Sequence, residues 1–397
     1  MLRRLEALLT AGLLGIAAFS TGLPFLFYLL YLGLLVVGGS YLLTRLSLSD
    51  LEAGYAVDRA AAHVGDQLRI SYTVHNLSRL PKLWLEVHNG TTLPGGLPGR
   101  LLSLGPRGRK SWQIRIPLRR RGQYRIEPLS LRTGDPFGLF AAQALVGEAL
   151  TVVVYPQVEP LPGWRVPAAN LEGAHAVPER TLQATPLAST VRPWAPGDAF
   201  NRIHWKSTAR YGEIQVKEFE LEQTSDVWVF LDLERAVHWG SGDDASLEVA
   251  VRVVASIADK ALGEGRSLGL TTGGAHLGVL PADRGPRQHL KVMQLLAAVE
   301  ADGETPFVEV LVQGLHRLRR GMTALVVTPS LDPHWVRPLG SLRGRGIGCL
   351  AVVVQAPHET GDEDAGRRWR ALRHALAEHD LPVSVVRPGI PLGEQLR

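Results

Sequence analysis

The sequence predicts a multidomain α+β protein. It comprises an N-terminal transmembrane helical hairpin (residues 1–45), a β-sandwich domain (53–160), a linker and signature segment (161–224) and a doubly wound α/β domain (225–397). Three observations carry this reading. The 38 residues between Glu6 and Arg45 hold no charge. Apolar residues then alternate with polar ones as far as Pro160, the period of a half-buried strand. From Asp226 onward, strand-like runs alternate with helical ones, the mark of a mostly parallel sheet covered on both faces.

The uncharged stretch is about twice the ~20 residues that one helix needs to cross a bilayer. Its middle, Ser20-Thr21-Gly22-Leu23-Pro24, is a turn signal, so two helices are expected, over about 5–19 and 24–43. Phe25, Phe27, Tyr28, Tyr31 and Tyr41 suit an interfacial aromatic belt. Arg3 and Arg4 before the stretch and Arg45 after it predict that both ends face the cytoplasm, at the inner membrane. A cleaved signal peptide is the rival reading, but the apolar stretch continues through Leu43 with no polar mature start.

In the second segment Leu68, Ile70, Tyr72 and Val74 alternate with polar neighbours, as do Trp112, Ile114, Ile116 and Leu118. Leu83, Leu85 and Val87 follow the same rule, and shorter strand-like runs lie at 123–126, 129–131 and 150–155. Gly and Pro clusters such as Leu93-Pro94-Gly95-Gly96 separate them, which predicts an antiparallel β-sandwich. Residues 161–190 are rich in Pro, Gly and Ala without a period and read as a linker. In the last segment strands are expected at 226–231, 267–271, 276–280, 324–328, 347–355 and 383–386. Helices are expected at 245–262, 288–299, 307–318, 333–342 and 363–377.

Composition narrows the function classes. Hydrophobic residues make up 45% and charged residues 20%, an ordinary globular balance. The net charge of +5 comes from Arg scattered through the chain, not from a basic face interleaved with aromatics, so no nucleic-acid partner is expected. An anionic lipid bilayer nearby accounts for it more simply. The one cysteine, Cys349, lies in an apolar run and reads as a small buried hydrophobe.

The most informative segment, residues 191–220, reads VRPWAPGDAFNRIHWKSTARYGEIQVKEFE. Pro196-Gly197-Asp198 is a turn, with Gly able to take positive φ and Asp able to cap the next backbone groups. Asp198 with Arg202 and Arg210 is expected to form a carboxylate–guanidinium network, and His204 with Trp205 to clamp the turn against a sheet. Upstream stand Arg120-Arg121-Gly122-Gln123-Tyr124 and Asp135-Pro136-Phe137-Gly138-Leu139-Phe140. Together these closely resemble the two signatures of the bacterial domain-of-unknown-function 58 family, in the family's order along nearly the whole chain. Trp194 stands where the family pattern has Tyr. The candidate partner-binding or domain-junction residues are therefore Arg192, Gly197, Asp198, Arg202, His204, Trp205 and Arg210.

That resemblance implies an α/β domain similar to a von Willebrand factor A domain, and a partner, a MoxR-type AAA+ ATPase. Domains of that kind can hold Mg²⁺ through an Asp-x-Ser-x-Ser loop, a distant Thr and a later Asp. The matching loop here is Asp232-Leu233-Glu234-Arg235-Ala236, with neither Ser, and Thr305 falls at the distant Thr. Hard-oxygen coordination is thereby depleted and Arg235 adds a cation, so no metal or other cofactor is expected.

Signals for an enzyme are lacking. The sequence contains no phosphate loop, no Gly-x-Ser-x-Gly elbow and no His-Glu-x-x-His helix. The expected role is a membrane-tethered, non-enzymatic scaffold or adaptor that docks the ATPase and helps assemble or activate envelope or metal-containing complexes. The alternatives are a metal-dependent receptor or envelope enzyme using Asp232, Glu234 and Thr305, and a purely structural membrane subunit.

Overall fold

The computed structural model describes residues 2–165, 190–195, 198, 200, 203–218, 226–274, 277–356 and 363–396. The chain divides into two compact units, Met1–Gln157 with Met293–Ala298, and Val158–Val292 with Val299–Arg397.

The first unit opens with helices α1 (Leu2–Thr21) and α2 (Pro24–Leu48). They pack on each other, with Phe19 edge-on to Phe27 at 5.2 Å. Gly22 takes φ +68° between them, and Pro24 starts α2 where a missing N–H costs nothing. Both helices run longer than the uncharged stretch suggests. At 1.5 Å per residue α2 is about 37 Å long, longer than the roughly 30 Å hydrocarbon layer. Among the described residues it is the one helix long and apolar enough to cross a membrane, while α1 offers the shorter apolar run Leu9–Thr21. Only Ser40 and Thr44 of α2 are buried, and Phe25, Tyr28, Tyr31 and Leu35 are exposed.

Nine strands follow: β1 (Leu51–Val57), β2 (Ala61–His63), β3 (Gln67–Asn76), β4 (Lys82–Thr91), β5 (Arg100–Leu104), β6 (Arg109–Pro117), β7 (Gly122–Gly134), β8 (Ala141–Val146) and β9 (Leu150–Tyr155). They form a three-stranded sheet, β1-β3-β6, and a larger one, β2-β9-β7-β4-β5, with β8 on β7. All pairs are antiparallel except β2 with β9, a departure from the purely antiparallel expectation. The alternation works as read: Leu68, Ile70, Tyr72 and Val74 of β3 are buried. They share one apolar cluster with Leu85, Val87, Ile126, Leu129, Leu131, Val152 and Val154 of the larger sheet. The two short runs at 123–131 are one long strand, β7, and β8 is a strand that the small side chains of 141–146 did not announce.

In the second unit β10 (Thr190–Pro193), α3 (Trp205–Tyr211) and β11 (Gln215–Glu218) form a small module. Then come β12 (Val227–Leu231), α4 (Ser246–Gly263), β13 (Leu268–Gly273), β14 (Leu277–Asp283), α5 (Gly285–Ala298, of which Met293–Ala298 counts with the first unit) and α6 (Phe307–Gly314). After these follow β15 (Thr323–Thr328), α7 (Val336–Arg343), β16 (Gly348–Val354), α8 (Glu363–Glu378), β17 (Val383–Val386) and α9 (Leu392–Gln395). Their sheet has the order β14-β13-β12-β15-β16-β17 and is parallel but for the β14 edge. Phe307, Leu311, Trp335, Leu339, Leu372 and Leu376, from the α6–α8 part of the chain, share a cluster with Trp228, Phe230, Val326 and Val353 of the strands. The strand order reverses around β12, which places the carboxyl ends of β12 and β15 at a topological switch point.

Candidate functional sites

The module at residues 190–218 is built on its own backbone. β10 and β11 pair antiparallel, Arg192 opposite Val216 and Pro193 opposite Gln215. Ile203 bridges to Val216, and both are buried, which roots the module. His204 donates its backbone N–H to the Gln215 carbonyl at 2.8 Å. It also caps α3: its Nδ1 accepts the Ser207 N–H at 3.3 Å and lies 2.6 Å from Ser207 Oγ. Gly212 ends the helix at φ +77° and donates to the Thr208 carbonyl at 2.9 Å.

The structure gives Asp198 a partner in Arg192, while the expected pairing with Arg202 falls outside the described residues. Arg192 donates through Nη1 and Nη2 to its two carboxylate oxygens, both at 2.8 Å, the bidentate fork geometry. The Ala195 N–H donates to the same carboxylate at 2.9 Å, closing the turn. The strand β10 puts Arg192 beside Asp198, whereas Arg210 sits exposed in the last turn of α3, where a cation complements the helix dipole. Gly197 and Arg202 lie outside the described residues. Trp205 does not clamp the turn against a sheet, because the first position of α3 aims it outward at 69% exposure. His204 is turned instead to its capping role.

The module also carries a set of apolar groups that sequence reading did not single out. Phe200, Tyr211 and Ile214 are exposed, together with Trp205 and the partly covered Trp194, whose ring lies 6.5 Å from that of Phe200. The available signal was the high aromatic content of a segment lacking either helical or strand periodicity.

The second candidate site lies at the switch point. Asp232 follows β12 and is fully buried. Thr328 Oγ1, at the end of β15, donates to its Oδ2 at 2.5 Å, and the Glu234 N–H donates to its Oδ1 at 2.9 Å. Burial pushes the Asp232 carboxyl up to about 7, against the opposing pull of those two donors. Glu234 is spoken for as well: its Oε2 accepts the Phe307 N–H at 2.9 Å, capping α6. Thr305 is exposed in the loop before α6. Each Asp232 oxygen accepts one hydrogen bond, and the two serine positions that would complete the oxygen set carry Glu234 and Ala236. This set does not fit an octahedral Mg²⁺ site. Among the described residues no group of three or more His, Cys, Asp or Glu side chains is placed to hold a metal ion. Cys349 is buried, and burial raises its thiol to about 12, far from a reactive thiolate.

An uncharacterized protein of Bacillus subtilis, YeaD, is 27% identical over 96% of this chain and 94% of its own length. An uncharacterized protein of Mycobacterium tuberculosis is 30% identical over 44% of this chain and 56% of its own. Among solved structures, proximal thread matrix protein 1 from the mussel byssus covers 44% of this chain and 45% of that one at 10% identity, with a TM-score of 0.29. A CARDB domain from Pyrococcus furiosus covers 26% of this chain and 92% of its own at 18% identity and a TM-score of 0.21. Neither score supports a fold assignment. Residues 190–367, the stretch that opens on the Arg192–Asp198 module, match the family described as Protein of unknown function DUF58.

Proposed function

We propose that this chain is a membrane-tethered, non-enzymatic scaffold whose 190–218 module docks a protein partner, the MoxR-type AAA+ ATPase that the family resemblance implies. On this reading α1 and α2 hold the chain in the inner membrane with its folded parts in the cytoplasm. The nine strands form a β-sandwich, and the α/β domain is similar to a von Willebrand factor A domain. The ATPase supplies the energy and this chain supplies location and a docking surface for assembling or activating envelope or metal-containing complexes.

One observation carries the docking reading. Trp194, Phe200, Trp205, Tyr211 and Ile214 stand exposed on a module whose backbone is locked by the Arg192–Asp198 fork and the His204 cap. Rigid, presented aromatics beside Arg are what interface hot spots are made of, because little side-chain entropy is lost when they are covered. Recovery of the ATPase with tagged full-length protein from native membranes tests it. Trp205→Ala leaves the module's hydrogen bonds intact and is expected to lower that recovery by at least tenfold, since hot-spot truncations cost about 2 kcal/mol or more. Unchanged recovery in the variant overturns docking at this surface.

A further inference from the structure

The Asp135–Phe140 segment, half of the second sequence signature, has no part in the docking module, and its geometry points elsewhere. It is the turn between β7 and β8, and Asp135 builds it. The carboxylate accepts the Phe137 N–H at 2.9 Å and the Phe140 N–H at 2.5 Å, while the Gly138 N–H donates to the Asp135 carbonyl at 3.1 Å. Burial pushes this carboxyl up, yet the backbone donors of Phe140, Leu139 and Phe137 outweigh it and hold the carboxyl below its ordinary range. Gly138 takes φ +70°, which a residue with a Cβ rarely adopts. This rigid loop presents Phe137 at its tip, 59% exposed.

The turn lies against α2. The Phe140 ring meets the Tyr41 ring at 5.6 Å, edge to face. Tyr41 sits seven residues before the end of α2, so Phe140 lies about 10 Å back along the helix at 1.5 Å per residue. That level is inside the uncharged stretch, which ends only at Arg45. A second contact fixes the same end of the strands. Lys82 is buried, and its Nζ donates to the Leu46 carbonyl in the last turn of α2. The next two residues, Leu83 and Trp84, are 74% and 59% exposed. Thr133 Oγ1 donates to the Trp84 carbonyl at 2.6 Å, tying that pair to the strand that leads into the turn.

We propose that this end of the β-strand unit is itself a membrane-interface surface, with Phe137, Leu83 and Trp84 entering the lipid headgroup region beside α2. The occupant is the bilayer that α2 enters, because Tyr41 and Phe140 share one level and a group beside Tyr41 has the same surroundings as Tyr41. Aromatics favour that boundary layer, and a turn already locked by Asp135 loses little entropy on inserting. The unit is then set on the membrane at several points and does not swing freely from one helix.

This inference rests on the reading of α2 as a membrane helix, and the test separates the two. Single cysteines are introduced into the full-length protein at Phe137→Cys, Leu83→Cys, Leu34→Cys in the middle of α2, and Glu148→Cys at the other end of β8. Cys349, buried with its thiol raised to about 12, stays unlabelled near neutral pH. Each variant is labelled with an environment-sensitive fluorophore and reconstituted in phosphatidylcholine–phosphatidylglycerol vesicles containing spin-labelled lipid. Quenching and a blue shift at 34, 137 and 83, with neither at 148, is the expected result. Quenching at 34 while 137 and 83 behave like 148 overturns the interface surface and leaves the membrane helix standing. No quenching at 34 overturns the membrane reading and this inference with it.

Discussion

Asp232 is fully buried at the carboxyl end of the first strand of the α/β sheet, and its protonation follows from what reaches it. Two donors cannot replace the water a carboxylate loses, so the folded protein holds this proton until about pH 7, whereas the ordinary value is 3.8. The sign of the pH dependence follows. The folded state binds the proton more tightly than the unfolded chain, so the contribution to stability is complete below about pH 4 and is lost as pH rises through 7. Melting of the full-length protein in detergent is expected to fall with pH across that window, at most by about 1.4 kcal/mol per pH unit for one proton. Asp232→Asn removes this component, and equal slopes in the two proteins would refute it. The Asp232 oxygens accept from Thr328 Oγ1 and from the backbone N–H of Glu234.

Elements were legible where their cause is local. Alternation in β3 and helical spacing in α4 each reflect one buried face, and both elements stand where their periods place them. β8 was missed because Ala141, Ala142 and Ala144 carry no strand preference of their own; pairing with β7 makes the strand. Glycines show the same division between local and distant causes. A Cβ on Gly303 would stand 2.3 Å from the Gly273 carbonyl oxygen and 2.9 Å from that of Leu233, both backbone. Gly303→Ala is expected to destabilise the protein by about 1–3 kcal/mol, the usual cost of overpacking. In contrast, a Cβ on Gly366 in α8 meets nothing within 4 Å. Gly366→Ala is expected to stabilise by about 0.5–1 kcal/mol through reduced backbone freedom in the unfolded chain. Urea unfolding of the two variants should move in opposite directions, and a shared direction would contradict this packing.

At the scale of the whole chain, the proposed role depends on which side of the membrane the folded units occupy. Arg3, Arg4 and Arg45 flank the uncharged stretch at both ends, and the proposed cytoplasmic orientation rests on this pattern through the positive-inside rule. Protease added to intact spheroplasts is therefore expected to leave a carboxyl-terminal tag uncut, and to remove it once the membrane is opened. Loss of the tag from intact cells would exclude docking to a cytosolic ATPase, whatever the module at 190–218 binds.

By itself, the sequence determined the uncharged N-terminal stretch, the change from period two to alternating strands and helices, and the two signatures. Each is a local pattern, and local patterns survive without knowledge of the fold. The tertiary structure alone decided the partners: Arg192 for Asp198, Thr328 for Asp232 across 96 residues, and Lys82 and Phe140 against α2. Strand order and register bring such groups together, and neither can be read from the residues that meet.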